Sequence, residues 1–93
     1  MARDGFQWDI AKAAANRRKH GVDFAEAAVA LEDPLALTMT DPDSNGDERF
    51  VSVGSNGHGR LLVTVFSCRG DSIRIISSRP ATPSEERSYG RGR

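Results

Sequence analysis

The chain has 93 residues, with 13 basic and 13 acidic side chains, a net charge of zero and one cysteine, Cys68. That length makes one small domain with a thin core, spanning residues 1–93. A single cysteine excludes an internal disulfide framework and fits a reducing cytoplasm. No apolar run reaches the length of a membrane span, and Met1–Asp9 carries no signal-peptide pattern.

The charges are unevenly spread. Residues 1–21 carry Arg3, Lys12, Arg17, Arg18 and Lys19 against Asp4 and Asp9. Residues 22–48 hold eight acids and no base, and residues 60–93 hold seven arginines against Asp71, Glu85 and Glu86. If the two basic ends meet in space they form a surface that attracts polyanions. The acidic middle either faces a basic partner or is solvated loop.

Asp9 is a candidate N-cap for a helix over 10–20, rich in alanine and stopped by Gly21. Its last turn holds Arg17, Arg18, Lys19 and His20. Cations there suit the helix dipole, and they equally suit phosphate contact. Trp8 reads as a core anchor. Asp23-Phe24-Ala25-Glu26 is a capping-box pattern for a second helix over 23–32, with Phe24, Ala27, Ala28 and Leu31 at helical spacing. Asp33-Pro34 ends it.

Alternation predicts a strand over 35–40, followed by a turn-rich loop, Asp41–Asp47. That loop lacks the distal glutamate and flanking helix of a calcium site, which rules calcium out. A second strand is expected over 48–55, a hairpin turn with His58 at 56–59, and a third strand over 60–68. The run Leu61–Phe66 is apolar on both faces, as a central strand requires. Cys68 reads as a small buried hydrophobe. Arg69-Gly70-Asp71 is a tight turn. A fourth strand over 72–78 carries Arg74 in a β-branched run, with Arg74 and Ile76 on one face and Ile73 and Ile75 on the other. An arginine inside an apolar strand needs a carboxylate, a phosphate or an open edge. Pro80 closes the strand. Thr82-Pro83-Ser84-Glu85 starts a capped helix over 83–90, and Arg91–Arg93 is a fraying tail. The order helix, helix, four strands, helix predicts an α+β sandwich on a four-stranded antiparallel meander.

Read as chemistry, the arginines point to a phosphodiester. Arg49, Arg74 and Arg79 are expected to converge on one phosphorane, since planar guanidinium forks pair with phosphate oxygens. His20 is the natural acid or base near neutral pH. Glu85 is a candidate base and Tyr89 a proton donor or stacking surface. Lys12, Arg17, Lys19, Arg60 and Arg87 are candidate contacts to the rest of such a polyanion. Each has a structural alternative: a cross-sheet ion pair for Arg74, a strand-edge charge for Arg49, a helix-end cation for His20, a cap for Glu85 and packing for Tyr89. With two histidines and one cysteine, no cluster has metal-ligand spacing, so no cofactor is expected.

The chain resembles the BrnT-type toxins of the RelE-like ribonuclease superfamily. The matching pieces run through the chain in order. They are Phe6-Gln7-Trp8-Asp9 with Lys12 and Asn16, Lys19-His20-Gly21-Val22 with Phe24 and Ala27, and Asp33-Pro34-Leu35-Ala36. After them come Glu48-Arg49-Phe50-Val51, Gly54, Gly59–Val63, Arg74–Ser77, Arg79, Ala81-Thr82, Glu85 and Tyr89. The resemblance implies a RelE-like fold and a metal-independent endoribonuclease whose 2′-hydroxyl nucleophile belongs to the RNA. It also implies a cognate BrnA-type antitoxin with a ribbon-helix-helix module that carries the complex to operator DNA. Two positions depart from the family pattern: Glu86 stands where an arginine is usual, with Arg87 next, and Pro80 replaces a common basic residue. A non-catalytic partner protein within a DNA-binding repressor complex is the competing reading. An acid–base pair beside the arginines divides the two.

Overall fold

The computed structural model describes residues 2–3, 5–43 and 48–91. Residues 44–47 of the acidic loop weighed for calcium lie outside the described residues, as do Gly92 and Arg93 of the tail. In chain order the elements are β1 (Ala2–Arg3), β2 (Phe6–Gln7), α1 (Ile10–His20), α2 (Phe24–Leu31), β3 (Leu37–Thr40), β4 (Arg49–Ser55), β5 (Leu61–Arg69), β6 (Ser72–Pro80) and α3 (Pro83–Arg91).

The fold is α+β, but the sheet departs from the expected four-stranded meander. It has six strands in the order β1-β2-β6-β5-β4-β3. Two short strands precede the helices, and β2 runs parallel to β6, pairing Phe6 with Ile73 and Gln7 with Arg74. Gly5, at φ 77°, makes the turn between them, and its carbonyl accepts from Ile73 at 2.7 Å. Two-residue strands are too short to show a period of two, so alternation could not reveal them.

The helix ends follow local chemistry. Asp9 accepts from the Lys12 amide at 3.1 Å, and Gly21 closes α1 in the left-handed region at φ 69°. At α2 the expected capping box does not form, because both acids are engaged elsewhere. Asp23 pairs with Arg17 at 3.4 Å, while Glu26 accepts from Asn56 at 2.8 Å. At α3 the box is complete: Glu85 donates its amide to Thr82 Oγ1 at 3.2 Å and Thr82 donates its amide to Glu85 Oε1 at 2.8 Å.

Helices α1 and α2 cover one face of the sheet. Phe6, Phe24, Ala27, Ala28 and Ile75 form the main cluster there, with Trp8 set edge-to-face against Phe24. Val22, Ala30 and Leu62 continue it. Small residues let α2 approach closely: a Cβ on Gly54 would lie 2.3 Å from the Ala30 carbonyl oxygen. On the opposite face, Tyr89 of α3 packs on Val53 and Val63. Strand β5 thus buries residues on both faces, as a central strand should. Cys68 corrects the expectation of burial: it is exposed, one residue from the end of β5.

Strand β6 breaks its own alternation. Ile75 pairs with Phe66 and Ser77 with Val65, so Ile76 is an extra, bulged residue. Ile76 lines the same cleft as Arg74. Beyond the bulge the faces are reset: Ser78 points to the helices and Arg79, opposite Val63, to the α3 side.

Candidate functional site

The cross-strand register assembles a row of polar side chains on the face opposite α1 and α2. Arg49 pairs with Ser67 on β5, and Ser67 pairs with Arg74 on β6. Two strand spacings put the arginine backbones roughly 10 Å apart, within joint reach of one group lying between them. Arg69, two residues along from Ser67, falls on the same face. Together with Lys12 from α1 and the bulged Ile76, these residues line a cleft of about 120 Å³. Lys12, Arg49, Arg69 and Arg74 bring four cations to it, and among the described residues no acid lines it.

The cleft continues past the bulge. Lys12 and Ile76 also line a neighbouring cavity with Ala15, Asn16, Lys19, His20 and Ser77. His20 and Lys19, on the last turn of α1, thus stand round the corner from the arginines, with Lys12 common to both spaces. The imidazole is half-buried and lines this neighbouring cavity.

What holds α1 in this place is Asn16, 6 % exposed and the only buried residue on that helix. Strand β2 ends after Gln7, so the edge of β6 beyond Arg74 has no strand partner on that side. Asn16 supplies one. Its Nδ2 donates to the Ser78 carbonyl at 2.8 Å, and Ser78 donates its amide to Oδ1 at 3.0 Å. Nδ2 also donates to the Val22 carbonyl at 3.1 Å. A short polar residue mid-helix carries no sign of such a role unless the neighbouring edge is known.

The remaining expected site residues lie elsewhere. Arg79 does not join Arg49 and Arg74, which corrects the expected convergence of three guanidinium groups. It sits five residues beyond Arg74, about 16 Å along the strand. Its guanidinium is bound by Glu85 through two bonds of 2.8 Å. Arg79 holds the Glu85 carboxyl down at about 2, with help from the Thr82 amide and hydroxyl. Glu85 in turn raises the Arg79 guanidinium above its ordinary value. A carboxylate so far below neutrality and so fully engaged is a poor proton acceptor. Tyr89 is buried, and its hydroxyl donates to Asp33 Oδ2 at 2.6 Å. That carboxylate also accepts from the Ser55 amide at 2.8 Å and the Leu35 amide at 2.9 Å. Both Glu85 and Tyr89 therefore dock α3 rather than line the cleft. Arg60 is tied to Glu26 at 3.5 Å and to the Gly21 carbonyl at 3.4 Å. Arg17 pairs with Asp23 on the exposed surface, and Arg87 is exposed on α3. Arg69, Ser67 and Asn16 were missed as site residues. Arg69 was hidden by its place in a turn-like tripeptide, although alternation from Ser67 would have placed it.

Comparison with known proteins bears on what this cleft does. A family model described as the ribonuclease toxin, BrnT, of type II toxin–antitoxin systems matches residues 8–85. The crystal structure of the Brucella abortus ribonuclease toxin, BrnT, superposes with a TM-score of 0.62 at 26 % identity, covering 83 % of this chain and 95 % of that one. No curated protein matches the sequence.

Proposed function

Because the chain belongs to the BrnT family of ribonuclease toxins of type II toxin–antitoxin systems, we propose that its four-cation cleft cleaves RNA without a metal ion. The observation that carries this reading is the cleft itself. Lys12, Arg49, Arg69 and Arg74 line one cleft with no carboxylate among the described residues that line it, and His20 stands in the adjoining space.

RNA brings its own nucleophile. The 2′-hydroxyl oxygen attacks the adjacent phosphorus in line, the bond to the 5′-oxygen breaks, and a 2′,3′-cyclic phosphate and a 5′-hydroxyl result. The protein must orient the phosphate, neutralise the phosphorane and move two protons. Arg49 and Arg74, on either side of Ser67, suit the two non-bridging oxygens. Lys12 and Arg69 add charge from the cleft walls. His20 serves as the acid–base group. Lys19 extends the positive groove along the strand of RNA. Arg79, Glu85 and Tyr89 are assigned to docking α3.

A type II toxin is held in check by an antitoxin. We assign that role here to a BrnA-type protein with a ribbon-helix-helix module, which covers the cleft and carries the complex to operator DNA. The reading is tested by expressing the protein alone in a bacterium and by incubating the pure protein with RNA in a chelator. Growth arrest, together with cleavage that ends in cyclic phosphate and disappears in folded Arg49→Ala and Arg74→Ala, is the expected result. No cleavage and no arrest would defeat it.

A further inference from the structure

Arg74 lines a second cavity, of about 160 Å³, on the side of the strand away from Arg49. Its other walls are Gln7, Trp8 and Asp9. The chemistry of the two spaces is opposite. One gathers four cations beside Ser67 and Ile76; the other holds a carboxylate, a carboxamide and an indole beside the shared arginine.

The acceptors in this second cavity are well defined. The Asp9 carboxyl is drawn below its ordinary value, chiefly by the Lys12 amide and further by the Ala11 amide and the charges of Lys12 and Arg74. It is therefore an anion at neutral pH and disfavours a second phosphate. Gln7 directs its amide nitrogen to Ser72 Oγ at 3.3 Å, which turns the amide's remaining polar atom, an acceptor oxygen, to other partners. Trp8 is held edge-to-face by Phe24, with ring centroids 6.2 Å apart, so the wall it offers is fixed in orientation. A neutral planar group that donates hydrogen bonds suits these walls. Unstacked RNA bases are read in this way, by aromatic contact and by hydrogen bonds on the Watson–Crick edge.

We infer that the Gln7–Trp8–Asp9 cavity is a nucleobase subsite that selects guanine next to the phosphate held by Arg49 and Arg74. Guanine alone among the four bases places two donors, N1–H and N2–H, side by side for a carboxylate. Adenine and cytosine each offer an amino group beside an acceptor nitrogen, which the carboxylate repels. Uracil offers one donor between two acceptors. The inference rests on the cleft being a phosphodiester site, and it adds which nucleotide that site prefers.

The test is binding of labelled pentaribonucleotides that carry one 2′-deoxy sugar before the central phosphate, so that none is cut. The two bases flanking that phosphate are varied one at a time among G, A, C and U. At one of the two positions guanosine should bind roughly tenfold more tightly than the rest, in the range of a good bidentate base contact. Asp9→Asn keeps the helix cap, since asparagine caps as well as aspartate, but replaces one acceptor by a donor; it should abolish the preference. Gln7→Ala is a second, exposed change that should reduce it. Arg49→Ala should weaken all four oligonucleotides alike. Equal binding of the four by the wild type, or a preference that survives in Asp9→Asn, would overturn the subsite. Guanosine preference without cleavage of the all-ribose oligonucleotide would support the subsite and remove the nuclease reading. Cleavage with no preference would do the reverse.

Discussion

The Asn16 carboxamide holds both backbone groups of Ser78, accepting from its amide at 3.0 Å and donating to its carbonyl at 2.8 Å. One side chain thereby replaces the strand that β6 lacks on that edge. Through this contact α1 carries Lys12, Lys19 and His20 to the groove beside Ile76 and Arg74. Truncation leaves buried backbone groups at Ser78 and Val22 without partners. Asn16→Ala is therefore expected to cost about 3 kcal/mol, read as a shift in urea midpoint at constant slope.

Arg49 and Arg79 are expected to behave oppositely. Arg49→Ala removes a cleft cation with little change in folding, and should lower the RNA cleavage rate by roughly 10²–10³-fold, as loss of a transition-state donor does. Arg79→Ala removes the partner of Glu85 outside the cleft. It should lower the melting temperature while leaving the cleavage rate of the folded protein near wild type. Rates under single-turnover conditions, measured beside melting curves, separate the two.

The Arg79–Glu85 pair has a definite pH signature. The Glu85 carboxyl is lowered from 4.5 to about 2 in the folded protein. Its contribution is complete above pH 4.5, where the unfolded chain also carries the charge, and is lost as pH falls toward 2. Because both side chains are partly solvated, the amount is about 1 kcal/mol. Wild type should lose stability over that window more steeply than Glu85→Gln. Parallel acid titrations of the melting temperature measure the difference.

Tyr89→Phe deletes the 2.6 Å bond to Asp33 and keeps the ring on Val53 and Val63. A bond to a carboxylate is worth about 1.5–3 kcal/mol, so chemical denaturation should register a loss of that order. Cleavage by the folded variant should be unchanged. A rate collapse without loss of stability would instead return Tyr89 to the chemistry.

Gly54→Ala tests the closest approach in the core. The added methyl would lie 2.3 Å from the Ala30 carbonyl oxygen, a backbone atom that cannot rotate away. Overpacking of this kind costs about 1–3 kcal/mol. The midpoint of urea unfolding should fall accordingly.

The helices were legible in the sequence because caps and stops sit beside them: Asp9 and Gly21 around α1, Thr82 and Glu85 at α3. The apolar run 61–66 likewise announced a central strand. Arg49 and Arg74 were recognisable as cations carried on strands, which solvent alone does not explain. The failures have physical causes. The Asp23–Glu26 box lost to tertiary partners, Arg17, Asn56 and Arg60, that no local pattern reveals. Strands β1 and β2 are too brief to show a period. Arg79 was expected beside Arg49 and Arg74 because their strands are neighbours; it does share a face with Arg74, opposite Val63 and Ser67, but five residues of one strand hold the two about 16 Å apart. Asn16 is ordinary until the edge it covers is seen.

The extra residue at Ile76 acts as a phase shifter for everything that follows it. Deleting it would leave Ser77, Ser78 and Arg79 opposite Val65, Thr64 and Val63 and so keep their faces. Inserting a residue between Ser77 and Ser78 would instead turn Ser78 outward and drive the Arg79 guanidinium under the helices. This stretch of the chain should therefore tolerate the loss of its extra residue better than the gain of another.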